Sequence, residues 1–172
     1  GGLLHLRWAT TGLAACPENT HPFTYQGYSF IHNGEIKERT TIDPYIEPSL
    51  FRAREGDTDS ERYFYSIISA SKKSNLIEGA LETVRKIREK LFYSSINAML
   101  LTPDKYIIVC EHNNDRIPAG EGPNYYDLYY RKDAKGILVA STGWNQDGWV
   151  LIPNHSIAVI DRKSLSVEIL PI

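Results

Sequence analysis

The spacing of apolar and polar residues changes twice along the chain and predicts three groups of elements. Short apolar runs bounded by glycine, proline and asparagine come first, two segments with helical spacing follow, and paired apolar runs fill the second half. Strands, then paired helices, then antiparallel hairpins are the order expected of an α+β domain built in layers. The 172 residues suit one core, so we expect a single domain over residues 1–172.

Two helices are predicted in the middle of the chain. The first begins at the capping box from Thr58 to Glu61, in which the Thr58 hydroxyl accepts from the Glu61 amide and the Glu61 side chain reaches back. The second covers residues 76–91, because apolar residues recur along one face at helical spacing, namely Leu81, Val84, Ile87 and Leu91.

Apolar runs and turn residues predict the strands. Residues 3–8 predict a buried strand, and residues 28–32 predict a second one that stops at Asn33-Gly34, since both residues of that pair tolerate the positive φ of a tight turn. Residues 35–51 are broken by proline and predict irregular structure with a short helical turn at most. Three hairpins follow, which pair residues 96–101 with 106–110, 125–130 with 136–141, and 155–161 with 165–170.

Composition and charge narrow the classes of function. The 19 basic and 21 acidic side chains give a net charge of -2, so no strong field attracts nucleic acid or an anionic membrane. No apolar run could span a bilayer and no secretory signal is found, so we expect a soluble, cytoplasmic protein. Cys16 and Cys110 are too distant in sequence to indicate a disulfide framework or a zinc motif, and we expect neither a metal nor a cofactor.

Polar residues cluster at four places where a strand ends or a helix begins, at residues 5–10, 19–22, 32–35 and 57–61. Such junctions hold functional groups on rigid supports. Each cluster also has an ordinary structural explanation. Arg7 could pair with a surface acid, His21 could hold a loop, Asn33-Gly34 could be a tight turn, and Asp59 could be a first-turn acid that favours the helix dipole.

Taken together, the four clusters suit a ligand that carries both an anionic and a cationic group. The planar guanidinium of Arg7 suits a carboxylate, and Asp59 suits an ammonium, so the pair fits an α-amino acid. The Asn33 side-chain amide and the Gly34 N–H provide two donors for a developing oxyanion. The set contains no nucleophile.

The order and spacing of the clusters resemble the class II glutamine amidotransferases, which belong to the N-terminal-nucleophile (Ntn) hydrolases. The matching patterns are His-x-Arg-Trp-Ala-Thr-x-Gly from His5, Asn-x-His-Pro from Asn19, His-Asn-Gly-x-Ile from His32 and Thr-Asp-Ser-Glu from Thr58. The resemblance implies a four-layer αββα sandwich of the Ntn-hydrolase type, incomplete at its N-terminus. The later residues agree with the family in element order only.

The resemblance also implies a role for each polar residue. Arg7 would bind the α-carboxylate of glutamine or of a γ-glutamyl group, with Thr10 and His21 shaping that end of the pocket. Asp59 would hold the α-amino group. The oxyanion hole would be the remaining pair, Asn33 and Gly34.

The nucleophile implied by the resemblance is a cysteine at the mature N-terminus, with its own α-amino group as the base. It should lie several dozen residues before Arg7, and neither Cys16 nor Cys110 is expected to replace it. The thiolate attacks the side-chain amide, ammonia or an amine leaves, and water releases glutamate from the thioester. We therefore expect these 172 residues alone to be inactive. A fragment of a longer protein, a cleaved chain and a non-catalytic relative are the three explanations, and we favour the first two.

Two hypotheses compete with a stand-alone amidotransferase or γ-glutamyl amide hydrolase. One is a non-catalytic binding module for glutamine or γ-glutamyl compounds. The other is a metallohydrolase, which is disfavoured because its candidate ligands lack the close helical spacing of a metal motif; they are His5, His21, His32, Asp57 and Asp59. The pocket for the leaving group is expected between residues 35–51 and 113–126. A homo-oligomer and a separate partner subunit both stay open.

Overall fold

The computed structural model describes residues 1–6, 16–141 and 147–172. Its strands are β1 (Phe23–Tyr25), β2 (Tyr28–Ile36), β3 (Tyr93–Leu101), β4 (Lys105–Cys110), β5 (Leu128–Asp133), β6 (Gly136–Ser141), β7 (Val150–Ile152), β8 (Ser156–Asp161) and β9 (Val167–Pro171). Its α-helices are α1 (Pro48–Phe51), α2 (Asp59–Ser71) and α3 (Leu76–Lys90). Short 3-10 helices lie at Pro17–Asn19, Arg39–Tyr45 and Asn114–Arg116.

Antiparallel pairing arranges the strands in two sheets. The larger sheet has the order β1-β2-β3-β4-β8-β9, and in the smaller sheet β5 lies between β6 and β7. Every strand pair is antiparallel, as the predicted hairpins require. No helix in the described ranges is long and apolar enough to cross a membrane.

Each face of the larger sheet buries a separate apolar cluster. On one face, side chains of the sheet pack against α2 and α3, and this cluster includes Phe30, Phe64, Val84, Ile107 and Ile157. On the other face they pack against the smaller sheet, and this cluster includes Ile108, Cys110, Leu128, Ile152 and Ala158. The described residues therefore form a helical layer and two sheet layers, three of the four layers expected of the sandwich.

Both predicted helices are present, and each begins at a side-chain cap. The Thr58 hydroxyl accepts a hydrogen bond from the Glu61 N–H at 3.0 Å, as predicted. The Glu61 carboxylate does not reach back to close the box; it accepts from the N–H groups of Glu55 and Gly56, both at 2.9 Å. It therefore fixes the loop before the helix, because two backbone N–H groups of that loop donate to it. In α3 the Asn75 side chain caps the first turn.

The strand predicted to stop at residue 32 continues through Asn33-Gly34 to the end of β2. Asn33 pairs with Asn97 and Gly34 with Ile96, and the register shifts only between Gly34 and Ile36. The predicted turn at this position is therefore wrong, because pairing with β3 outweighs the local preference of Asn-Gly for a turn. The tight turn lies instead at Gln26-Gly27, where both residues have positive φ and connect β1 to β2.

The predicted buried strand at residues 3–8 is wrong for its described part. Residues 1–6 form no strand, and Leu4 and Leu6 are 82% and 88% exposed. Leu3 and His5 are half-buried, so the segment alternates between an inner and an outer side. The apolar run indicated burial of both sides, whereas only one side is covered. Two short strands, β1 and β7, were not predicted, since three residues carry too little periodicity.

Candidate functional site

The N-terminus of α2 lies against the end of β2, and two side chains join them. The Asp59 Oδ2 atom accepts a hydrogen bond from the Ile36 N–H at 2.8 Å. The Oγ atom of Ser60 lies 2.9 Å from Nδ1 of His32. These contacts flank Asn33-Gly34 on either side in the sequence. The start of the helix therefore holds the third and fourth polar clusters together.

The ring of His32 is a buried, neutral link between three elements. Its Nε2 atom lies 3.2 Å from the Ser95 carbonyl oxygen, which can only accept, so Nε2 carries the proton. Burial lowers the pKa of His32, although the Asp59 carboxylate acts in the opposite direction. In the neutral ring Nδ1 is an acceptor, and the Ser60 hydroxyl donates to it. Because His32 carries no charge, it leaves the negative charge of Asp59 uncompensated.

The second polar cluster also contacts the start of α2. The Asn19 Oδ1 atom accepts a hydrogen bond from the Asp57 N–H at 3.0 Å. A Cβ at Gly56 would stand 2.3 Å from the Glu18 carbonyl oxygen, so the two loops touch through their backbones. The glycine before Asp57 is thus required by close packing.

The first polar cluster is joined to the second by a contact between two imidazole rings. The ring centroids of His5 and His21 are 4.2 Å apart, and the His21 ring lies 4.8 Å from that of Phe23 in β1. His21 precedes a cis proline and is half-buried. Arg7 and Thr10 lie outside the described residues, so their roles stay predictions. Contacts among the described residues thus connect all four clusters, which span residues 5–61.

Asn33 and Gly34 are both exposed at the end of β2. Gly34 has φ +142°, and a Cβ there would stand 2.0 Å from the Ser95 carbonyl oxygen. Only glycine fits both the φ angle and the space. The side chain of Asn33 and the backbone of Gly34 line the same cleft.

Asp57 and Asp59 are two residues apart but have different surroundings. Asp57 accepts from Arg39 at 2.6 Å and from Arg62 at 2.8 Å, and hydrogen bonds from these two guanidinium groups lower its pKa to about 2. Arg62 is buried and also binds Asp43. No described cation lies within salt-bridge distance of Asp59. Asp57 is therefore held by ion pairs within the fold, and Asp59 has no such pair among the described residues.

The described ranges contain no cluster of metal ligands of the kind that the metallohydrolase hypothesis requires. No three His, Cys, Asp or Glu side chains there lie close enough together to hold a metal ion. His32 is engaged by Ser60 and Ser95, and Asp57 by its two arginines.

The cleft beside Asn33 and Gly34 has a volume of about 550 Å³, within the usual range of ligand pockets. The predicted loops line it only in part. Residues 35–51 contribute Glu35 and Lys37, and residues 113–126 contribute Arg116, Pro118, Tyr125 and Tyr126. Phe92 and Ser94 also line the cleft and were not predicted.

Four further residues of the site were missed by the sequence analysis. Ser60 and Ser95 position His32, and Phe92 and Ser94 line the cleft. Ser60 belongs to the Thr-Asp-Ser-Glu pattern that begins at Thr58, so the sequence did indicate this segment. Phe92, Ser94 and Ser95 lie in or next to β3, almost 60 residues along the chain from β2, and no local pattern indicates that they face it.

The two cysteines lie in different environments. Cys110 is fully buried between the two sheets, and burial raises the pKa of its thiol to about 12. Cys16 is half-buried, and its carbonyl accepts from the Thr20 hydroxyl at 2.8 Å.

Comparison with known sequences gives one family. The sequence model of the family described as "Glutamine amidotransferases class-II" matches residues 2–113. The chain is similar to glutamine–fructose-6-phosphate aminotransferases (isomerizing), with 31% identity to that of Buchnera aphidicola subsp. Baizongia pistaciae and 24% to that of Mesorhizobium japonicum. Each match covers 97% of this chain and 27% of the relative. The chain thus spans about a quarter of the length of these curated relatives.

Two solved structures with the same fold have names that include a glutamine aminotransferase or amidotransferase. A glutamine aminotransferase class-II domain protein from Silicibacter pomeroyi matches 88% of this chain and 70% of its own, with a TM-score of 0.68 and 17% identity. Glutamine phosphoribosylpyrophosphate amidotransferase from B. subtilis matches 97% of this chain and 34% of its own, with a TM-score of 0.62 and 15% identity. The α+β fold of the Ntn-hydrolase type is thereby confirmed.

Proposed function

We propose, from the premise that this chain belongs to the class-II glutamine amidotransferases, that residues 1–172 form the domain that binds glutamine or a γ-glutamyl amide. Arg7 binds the α-carboxylate of the substrate, Thr10 and His21 shape that end of the pocket, and Asp59 binds the α-amino group. The side-chain amide would then point towards Asn33 and Gly34.

The observation that carries this proposal is the meeting of the polar clusters at the N-terminus of α2. The Asp59 Oδ2 atom accepts from the Ile36 N–H, and Oδ1 lies 3.5 Å from the Ser60 hydroxyl and has a further lone pair that can accept from an ammonium. The neutral state of His32 supports this role, because a charged imidazole beside Asp59 would compete with the ammonium.

Asn33 and Gly34 act on the amide that is cleaved. The Asn33 Nδ2 group and the Gly34 N–H donate to the carbonyl oxygen as it becomes negative in the tetrahedral intermediate. A cysteine thiolate forms the C–S bond, the C–N bond breaks, and the leaving nitrogen takes a proton as ammonia or an amine. Water then hydrolyses the thioester and releases glutamate with the thiol.

The nucleophilic cysteine in this proposal is supplied from outside these residues. Cys110 lies between the sheets with its thiol protonated at neutral pH, which makes it unsuitable as a nucleophile. Cys16 belongs to the loop before the second cluster and is not at a chain terminus. Residues 1–172 alone would therefore bind glutamine or glutamate without turning it over.

Glutamate release by the complete protein tests the proposal. We expect release from glutamine or a γ-glutamyl amide, and covalent labelling of a cysteine other than Cys16 and Cys110 by an electrophilic glutamine analogue. Residues 1–172 alone should bind glutamate in calorimetry and release none from glutamine. Binding without turnover or labelling in the complete protein would instead favour a non-catalytic binding module. Labelling of Cys16 with turnover by residues 1–172 would show that the nucleophile is misplaced here.

A further inference from the structure

The cleft beside Asn33 and Gly34 is much larger than the release of ammonia requires. Its volume is about 550 Å³. Ammonia is close in size to water, whose share of liquid volume is roughly 30 Å³. The cleft lies next to the residues that would hold the reacting carbonyl, so the group attached to the amide nitrogen shares this space with the cysteine that attacks the carbonyl.

One wall of this space carries two cations over a single aromatic ring. The guanidinium carbon of Arg116 lies 3.5 Å from the ring centroid of Phe92, and the Lys37 Nζ atom lies 5.0 Å from it. Backbone contacts fix this arrangement, because the Lys37 N–H donates to the Phe92 carbonyl at 2.9 Å. Arg116 Nη1 donates to the Tyr93 carbonyl at 2.9 Å. Both residues line the cleft, where Arg116 is half-buried and Lys37 is exposed.

Neither Lys37 nor Arg116 forms an ion pair in the part of the chain that the structure describes. Among the described residues that line the cleft Glu35 is the one carboxylate, so these residues carry two positive charges against one negative charge. An anion in the cleft would be attracted by both positive charges. The five guanidinium N–H donors of Arg116 exceed the one used by Tyr93 and suit a carboxylate.

Two tyrosines that line the cleft form an aromatic wall anchored to β3. Tyr125 and Tyr126 pack edge to face with centroids 4.8 Å apart. The buried Asn97 side chain donates to the Tyr126 carbonyl at 2.6 Å, and Asn97 is also the cross-strand partner of Asn33. The wall is therefore fixed relative to the residues that would polarise the amide.

We propose that Lys37 and Arg116 bind a carboxylate on the amine that leaves the γ-glutamyl carbonyl. The preferred substrate class is then a γ-glutamyl amino acid or peptide rather than glutamine. Water and the conjugate yield glutamate and a free amino acid, with the same covalent steps as above. This inference rests on the proposed function of Asn33 and Gly34, since it uses the position that they give to the amide.

A matched pair of substrates isolates the carboxylate. γ-Glutamylglycine and γ-glutamylglycinamide have nearly the same size and differ in the charge of the leaving amine. With the complete protein we expect kcat/KM to be about tenfold higher for γ-glutamylglycine than for γ-glutamylglycinamide, because only the former gains a charge-assisted contact. Lys37→Met and Arg116→Met should each lower that ratio several-fold, and the double variant should bring it close to one.

Two exposed cations of α3 provide controls. Arg85→Met and Lys90→Met change the net charge equally, lie outside the cleft and should leave the ratio unchanged. A ratio near one in the unmodified protein, or a ratio that falls equally in the controls, would overturn the carboxylate site while leaving the proposed hydrolysis intact. No turnover of glutamine or of either conjugate would overturn the proposed function and this inference with it.

Discussion

Gly34 approaches Ser95 so closely that a Cβ at residue 34 would stand 2.0 Å from the Ser95 carbonyl oxygen. The same carbonyl lies 3.2 Å from the Nε2 atom of His32. One backbone oxygen of β3 therefore limits residue 34 to glycine and orients the imidazole two residues earlier. The position of Asn33 between them is set from both sides.

The first prediction concerns this contact. Gly34→Ala should lower the free energy of unfolding by about 2–4 kcal/mol, because the added methyl meets backbone that must shift. The measurement is urea denaturation. Gly136→Ala is the matched control, since Gly136 has φ +154° with nothing within 4 Å of a Cβ. It should cost only about 1 kcal/mol, the backbone strain alone. Equal losses for both variants would show that the contact with Ser95 does not matter.

The sequence predicted both helices and all three hairpins, since their signals are local, although the strand predicted at residues 125–130 lies at Leu128–Asp133. The Thr58 cap and the apolar face of α3 lie where the periodicity placed them. Asn33-Gly34 was assigned to a turn because the pair is typical of turns. That assignment failed because the positive φ of Gly34 serves a close approach between strands, which depends on residues 60 positions away.

Some residues of the candidate site could likewise be predicted from local sequence, and others could not. Asn33, Gly34, His21 and Asp59 could be chosen from residue type and order, and contacts connect the clusters that contain them. Phe92 could not, because an exposed phenylalanine before a strand has no distinctive pattern; it is 48% exposed and reaches the cleft only through the pairing of β2 with β3. The cations that lie over its ring were equally unremarkable in the sequence.

The second prediction concerns the donor to the oxyanion. Asn33→Ala in the complete protein should lower kcat for glutamate release by about 10²–10³-fold, the usual cost of one such donor. Because Asn33 is exposed, thermal unfolding should change little. Steady-state kinetics and calorimetry of the same preparation measure both. A kcat within twofold of the unmodified protein would remove Asn33 from the proposed role.

The third prediction separates two neighbouring acids. Asp59→Asn should weaken glutamate binding by about 30-fold or more, because an ammonium loses its charged partner in a partly enclosed site. Asp57→Asn should leave binding within about twofold, since its carboxylate is occupied by Arg39 and Arg62. It should instead lower the free energy of unfolding by about 1.5–3 kcal/mol, because the buried Arg62 loses one of its two carboxylate partners. Calorimetric titration and urea denaturation distinguish the two, and the reverse pattern would exchange their roles.

The fourth prediction concerns the effect of pH on stability. Burial lowers the pKa of both His32 and His112 below the value of about 6.5 that an unfolded histidine has. Between the folded and unfolded values the unfolded chain binds more protons, so stability rises with pH. The contribution of each histidine is complete above about pH 6.5 and is lost as the pH falls through its folded pKa.

Urea denaturation between pH 5 and 8 should therefore show stability falling on the acid side of neutrality. His32→Gln and His112→Gln should each reduce the steepness of that fall, and the double variant should reduce it further. The variants are compared by slope, since His32→Gln also lowers stability at every pH by leaving its buried partners Ser60 and Ser95 unsatisfied. A slope that is the same in all four proteins would exclude both histidines as its source.

The fifth prediction concerns the reactivity of the two cysteines. The pKa of Cys110 is raised to about 12 by burial between the sheets, so almost no thiolate exists at pH 8 and the sulfur is inaccessible. In native residues 1–172, iodoacetamide should modify Cys16 within minutes and leave Cys110 unmodified for hours. Denaturation in urea should make both react at similar rates. Peptide mass spectrometry after timed quenching follows each site separately. Rapid modification of Cys110 in the native protein would mean that the smaller sheet opens readily, and that Cys110 has to be considered again as a reactive thiol.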